Sequence, residues 1–260
     1  MGHLQQAKDS TNKEELKVLA ENPHELVRIN VAGNPACDED ILEYLLNDKS
    51  NLVRSIAIRN SNCTKEQILS VIEREKDVVV LLAIVETGKT DKDILDKLSF
   101  HQNSNIRIQV AKNPKIEMDT LNRLLEDNDI KVINAALSNP NVSEEMILSV
   151  LEKYKHNRSP ILEGVTKNPN ISTDLIDKLM KSKDIAVLRN IAIHPNTSEK
   201  NLITLSKSLY SDVRRCVALN EHTPEKYMSL LTKDANASVK STAIRKLEKG
   251  KLKGENNGIL

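Results

Sequence analysis

The stretch that decides the fold is Val27-Arg28-Ile29-Asn30-Val31-Ala32-Gly33-Asn34-Pro35, because it returns as Ile106-Arg107-Ile108-Gln109-Val110-Ala111-Lys112-Asn113-Pro114. An aliphatic anchor, usually followed by Arg, recurs at Val27, Val53, Val79, Ile106, Val132, Ile161, Val187, Val213 and Val239. The spacings are 26, 26, 27, 26, 29, 26, 26 and 26, which identifies an internal repeat before any secondary structure is assigned. The longest interval places extra residues around Lys153-Tyr154-Lys155-His156-Asn157, a local loop expansion.

Each unit reads as two helices. The anchor and the residue four later, such as Val27 and Val31, share one helical face. Seven after the anchor stands Asn34, Asn60, Asn113, Asn139, Asn168 or Asn220, and Pro follows at 35, 114, 140 and 169. Proline lacks an N–H and disfavours helix for the residue before it, so the first helix stops there. Eleven after the anchor, Asp38, Thr64, Thr90, Ser143, Ser172 and Ser198 can cap a second helix. That helix buries pairs such as Leu42 with Leu45 and Ile68 with Val71, with Lys97 breaking the column. Helices of about three turns are marginal alone. Stacking neighbouring units buries their stripes in a continuous core. The expected fold is therefore all-α, a solenoid of eight to nine two-helix repeats over residues 14–249. A tail is expected over 1–13, where residues 14–26 supply a leftover second helix as cap, and a flexible tail over 250–260.

This unit resembles the leucine-rich repeat variant family, over about residues 14–248. The resemblance implies a right-handed superhelix of stacked pairs whose second helix is partly 3₁₀. The family's unit is a little shorter than the one here, which leaves a HEAT-like α/α unit open. It carries no common catalytic residue, and the cysteine-rich iron–sulfur segment of some members has no counterpart here.

Composition agrees with thin stacked layers. The chain has no Trp, one Phe and four Tyr in 260 residues, where a large compact core would use aromatics as filler. Net charge is +1, so no global field selects a partner. Cys37, Cys63 and Cys216 have neither disulfide-framework nor zinc spacing. No metal, cofactor, signal peptide or membrane span is expected, and the reading is cytoplasmic.

Several motifs dissolve into the repeat. The sequons at Asn62, Asn141, Asn170 and Asn196 arise wherever a turn Asn precedes a Ser/Thr cap by two residues. Gly88-Lys89-Thr90 lacks the upstream Gly of a phosphate loop. Six scattered histidines form no ligand pair at helical spacing.

The feature kept as a candidate site is a column of cations. Arg28, Arg54, Arg107, Arg214 and Lys240 each follow an anchor, with Arg215 beside Arg214. Stacked, they form a basic ladder interrupted at Val80, Ile133, Leu162 and Leu188. The structural reading lays each side chain over the next unit's helix, bonded to its terminal carbonyls or turn Asn. The binding reading is a row of cations for phosphates or an acidic partner. Residues 207–253 add eleven Lys/Arg against five acids. No nucleophile–base set or carboxylate pair stands outside the repeat columns. The expected function is a non-enzymatic scaffold that binds a protein or peptide. The alternative is a HEAT-like nucleic-acid binder using the Arg ladder and the basic C-terminal end.

Overall fold

In a computed structural model the described residues are 2–256, with side chains described to 249. Every regular element among them is helical. The chain forms two compact units, residues 1–132 and 133–260. The repeat continues through both, and each is described by itself.

The first unit alternates first and second helices. Its first helices are α1 (His3–Asp9), α3 (Glu25–Gly33), α5 (Asn51–Arg59), α7 (Val78–Glu86) and α9 (Ser104–Lys112). Its second helices are α2 (Lys13–Ala20), α4 (Glu39–Leu45), α6 (Lys65–Arg74), α8 (Lys92–Ser99) and α10 (Met118–Leu124). Helix α11 (Ile130–Leu137) begins at its end. In the second unit, α12 (Glu144–Lys153), α14 (Thr173–Leu179), α16 (Glu199–Leu205) and α18 (Glu225–Leu231) are the second helices. They alternate with α13 (Leu162–Lys167), α15 (Ile185–Ile193), α17 (Ser211–Leu219) and α19 (Ala237–Asn256). First helices stack on first helices, α3 on α5 on α7 and α15 on α17 on α19. The anchors Val27, Val53, Ile106, Val187 and Val213 are buried between layers with Leu42, Leu45, Ile68 and Leu202.

Four expectations change. First, the second helices are α-helices of seven to ten residues, not partly 3₁₀. Side-chain caps explain their sharp starts: Asp38, Thr64, Ser143, Ser172 and Ser198 accept the third N–H of the helix that follows. The described 3₁₀ turn lies elsewhere, at Ser159–Ile161 before α13.

Second, the anchor of the third repeat is Val80, not Val79. Val80 is fully buried, whereas Val79 is 48% exposed. The one-residue shift also restores the second-helix columns of that repeat. Asp91 rather than Thr90 caps α8, and Leu98 rather than Lys97 fills the buried column.

Third, residues 1–13 are not a tail along their length. Helix α1 packs on α3 and buries Ala7. It is short, and one buried alanine among polar residues gives no periodic signal.

Fourth, helix continues past 249, since α19 runs to Asn256. The rest of the expected tail, 257–260, lies outside the described residues.

Close packing in the second unit depends on one glycine. A Cβ on Gly164 of α13 would stand 2.5 Å from the backbone oxygen of Asn134 in α11 and 2.7 Å from its Cα. Only glycine lets α13 lie there, and its N–H donates to Asn134 Oδ1 at 2.7 Å.

Candidate partner-binding surfaces

The arginine column is built into the scaffold. Arg28 on α3 donates from Nε and Nη2 to Asp48 at 2.6 and 3.0 Å, and from Nη1 to the carbonyls of Asn22 and Pro23. Arg54 grips Glu75 at 2.7 and 3.0 Å and the carbonyl of Asp48. Arg107 grips Asp127 and the carbonyls of His101 and Gln102. Arg214 grips Asp234 and the carbonyls of Ser208 and Leu209. The planar guanidinium fork suits this bidentate geometry. Each arginine thus ties the turn before its own helix to the turn after its repeat's second helix. The carbonyls belong to the preceding turn, not to the next unit as the sequence suggested.

Burial pushes the Asp48 carboxyl up, but Arg28 and the Ser50 N–H together hold it below the ordinary carboxylate range. The Arg214 guanidinium beside Asp234 depresses that carboxyl in the same sense. These four arginines are internal braces and do not form a row of free cations. Arg215 is half-buried beside Arg214, and Lys240 is exposed on α19.

The turn asparagines are a second set of braces. Asn60 Nδ2 donates back to the carbonyls of Ala32 and Asn34 at 2.7 and 2.9 Å. Asn220 does the same to Ala192 and His194, and Asn34 to Ala7, Lys8 and Ser10. Each amide covers carbonyls left unpaired at the end of the preceding first helix. Its Oδ1 meanwhile accepts the N–H two residues on, as Asn60 does from Asn62. The sequon asparagines join in: Asn62 donates to Pro35 and Cys37, and Asn170 to Pro140. Lys89 of the Gly-Lys-Thr motif fills the same role in the third repeat, donating to the carbonyls of Asn60 and Cys63.

His194 replaces the asparagine in its repeat. Its Nε2 lies 2.8 Å from the Asn168 carbonyl, and its Nδ1 accepts the Asn196 N–H at 3.1 Å. These two bonds require the neutral Nε2–H tautomer. Burial lowers its pKa, against the raising effect of the Asn168 carbonyl. The unfolded chain therefore binds the extra proton first, and stability falls as pH drops below about 6.5. Below that pH His194→Asn is expected to remove a loss of at most about 1.4 kcal/mol per pH unit. Thermal unfolding of both proteins between neutral and mildly acid pH checks this. Identical acid limbs would contradict it.

The thiols are inert by environment. Cys37, Cys63 and Cys216 are free and buried. Burial pushes the Cys37 thiol up to about 12 and Cys63 to about 11. Among the described residues no group of three or more His, Cys, Asp or Glu is arranged to hold a metal ion. No described helix is long and apolar enough to cross a membrane.

What the first unit does present is apolar. The solvent face of its first helices carries Leu26 (63% exposed), Leu52 (51%) and Val79. Ile29, Ile56 and Leu82 lie half-exposed on the same faces. The stacking of α3, α5 and α7 sets these columns side by side. At the α1 end Leu4 and Leu26 line an open hollow of about 490 Å³. On α9 the matching positions are Asn105, Ile108 and Gln109, so only Ile108 stays apolar, and in the second unit they include Asp212 and Arg215 on α17. The strip is thus confined to the first repeats. In sequence this column has the same aliphatic residue types as the buried ones and differs from them only by facing outward.

No family model and no curated protein matches the chain. Among solved structures it is similar to a leucine-rich repeat variant with a novel repetitive structural motif, at 17% identity over 92% of this chain and 87% of that one, TM-score 0.49. It is also similar to the YibA protein of E. coli at 17% identity, over 94% and 95% of the two chains, TM-score 0.41. An engineered protein aligns at 18% identity over 95% and 96%, TM-score 0.23. The assignment rests on the chain's own layers of helix pairs, joined by arginine and asparagine braces, and by these the chain is an α-helical repeat protein.

Proposed function

We propose that the protein is a non-enzymatic scaffold that binds a protein partner, and that the first-helix face of residues 26–82 is its principal contact surface. The observation behind this is the exposed row of Leu26, Leu52 and Val79 with Ile29, Ile56 and Leu82 beside it. Contiguous apolar patches on soluble proteins mark interaction sites, while singly scattered apolar residues do not. Helix faces of this kind accept apolar anchors of a partner and gain affinity by excluding water from them. The nucleic-acid alternative drew on the Arg ladder, and four of its members are committed to internal carboxylates. Three buried free thiols suit a reducing, cytoplasmic setting.

The test compares affinity capture by the wild-type chain and by the variant Leu26→Asp/Leu52→Asp. Both sites are exposed, so the fold should be retained, which circular dichroism verifies. Proteins held by the wild type should be depleted at least about tenfold by the variant, as hot-spot loss implies. Equal capture by both proteins would end the proposal.

A further inference from the structure

The loops that join a second helix to the next first helix lie along one edge of each unit. In the second unit they cover residues 154–158, 180–184, 206–210 and 232–236. They carry Lys155, Arg158, Lys181, Lys183, Lys207 and Lys233, all exposed. Their two carboxylates are already engaged: Asp184 caps α15 through the Ala186 N–H, and Asp234 is held by Arg214. Among the described residues no ion pair joins Lys181, Lys183 or Lys207 to a carboxylate. The matching loops of the first unit have the opposite balance, with Glu21, Asp48, Glu75, Asp77, Glu126, Asp127 and Asp129 against Lys49 and Lys76, although Asp48, Glu75 and Asp127 are held by the arginine braces.

Two of these loops, 180–184 and 206–210, also lack the brace. The repeats with Leu162 and Leu188 in the arginine position have Ser182 and Ser208 where braced repeats place the acid. Each serine still accepts the N–H two residues on, from Asp184 and Tyr210, so the turn is kept. Losing arginine and acid together is neutral in charge and leaves the fold intact, and of the loop lysines Lys155 pairs with Glu152 at 3.0 Å while Lys181, Lys183 and Lys207 face solvent. Aliphatic side chains stand among them: Leu209 is 94% exposed and Ile185 39%.

We propose that this edge of the second unit docks an acidic, aliphatic-containing segment of a protein partner in extended form. Neighbouring layers lie about 8–10 Å apart, so four loops span about 30 Å. An extended peptide of roughly ten residues covers that distance. Lysine ammonium groups act as point charges for carboxylates, whereas phosphate recognition favours the bidentate fork of arginine, present here once. Leu209 and Ile185 offer apolar contact to aliphatic side chains, where a single-stranded nucleic acid would draw on aromatic stacking platforms. The inference deepens the scaffold reading but stands on a different surface from the apolar strip.

The test uses the full chain and a labelled peptide of about twelve residues repeating Glu-Asp-Leu, long enough to reach about 40 Å, followed by fluorescence anisotropy. Controls are a Lys-Arg-Leu peptide and a thymidine oligonucleotide of similar charge. The acidic peptide should bind, the basic one should not, and affinity should fall as salt shortens the screening length. Lys181→Ser/Lys183→Ser/Lys207→Ser should weaken binding at least about tenfold and Leu209→Ser about threefold, since these are the charges and apolar contact invoked. All four positions are exposed, and unchanged circular dichroism confirms folding. The Leu26→Asp/Leu52→Asp variant should bind the peptide like wild type, which separates this test from that of the apolar strip. Binding indifferent to the triple substitution overturns the proposal. So does tighter binding of the oligonucleotide than of the acidic peptide.

Discussion

Asp48→Ala is expected to destabilise the first unit by about 3–5 kcal/mol, the usual result of removing one partner from a buried ion pair. The Arg28 and Asp48 side chains are only 6% and 5% exposed, and their two bonds are short and bidentate. Without the carboxylate, Arg28 remains a buried cation whose remaining hydrogen bonds go to the carbonyls of Asn22 and Pro23, with Glu25 as the nearby charge. The Ser50 N–H also loses its acceptor at 2.8 Å. The contrast is Asp234→Ala, where the arginine is 17% exposed and water can reach it, so a smaller loss is expected. Arg28→Met/Asp48→Leu should recover much of the deficit, because two apolar side chains leave no charge uncompensated. Recovery should stop short by about 1–3 kcal/mol, since the Asn22 and Pro23 carbonyls lose their donor. Hydrogen exchange of α3 and α5 amides is the suitable measurement, because repeat arrays do not always unfold as one unit. A loss under about 1 kcal/mol for Asp48→Ala would mean the pair behaves as a surface bridge. The pH dependence has a definite sign. Asp48 is depressed in the fold, so its stabilisation is complete above about pH 4 and is lost as pH falls further. The acid limb of Asp48→Ala should accordingly be shallower than that of the wild type.

The brace itself was legible in the sequence, though the anchor column alone does not reveal it. Arg28, Arg54, Arg107 and Arg214 are matched by Asp48, Glu75, Asp127 and Asp234, twenty or twenty-one residues later. Where the arginine is replaced by Leu162 or Leu188, Ser182 or Ser208 takes the place of the acid. Reading the two columns together identifies a pair, whereas reading the arginines alone suggests a ladder of free cations. The third-repeat anchor misleads for a related reason. In Val78-Val79-Val80-Leu81-Leu82 every position is apolar, so periodicity cannot choose between registers. The cap Asp91 and the pair Leu95 and Leu98 do choose, and they agree only with Val80. Helix α1 is hidden more deeply, since its own sequence is polar. Its trace is Asn34, whose amide needs carbonyls of an earlier helix end to satisfy it. The outward surfaces follow a different logic. Leu26, Leu52 and Val79 recur one residue before their anchors, but spacing alone does not tell an outward aliphatic column from a buried one, and Leu209 stands in a loop outside the buried columns.

Asn168→Ala should cost the second unit about 3 kcal/mol, because it strips donors from several buried carbonyls at once. Asn168 is fully buried, and its Nδ2 lies 2.8 Å from the Leu137 oxygen, 2.9 Å from Asn139 and 3.3 Å from Val142. Leu137 ends α11, so its carbonyl has no partner within that helix. Oδ1 accepts the Asn170 N–H at 2.8 Å, which fixes the turn leading to α14. The decisive comparison is Asn168→Asp. The two side chains have nearly the same shape, so a packing role would tolerate the change. A carboxylate has no donor, however, and would set negative oxygen against three carbonyls. Asn168→Asp should therefore be at least as damaging as Asn168→Ala. Asn168→His should be milder than either, since His194 meets the same demand one repeat later with Nε2 as donor and Nδ1 as acceptor. Amide exchange of α11 and α13, compared across the three variants, reads the order directly. If aspartate proves the mildest substitution, the column serves packing rather than donation. The inverse order ties the stability of each layer to the one before it, because the donor sits in one repeat and the helix end it completes in another.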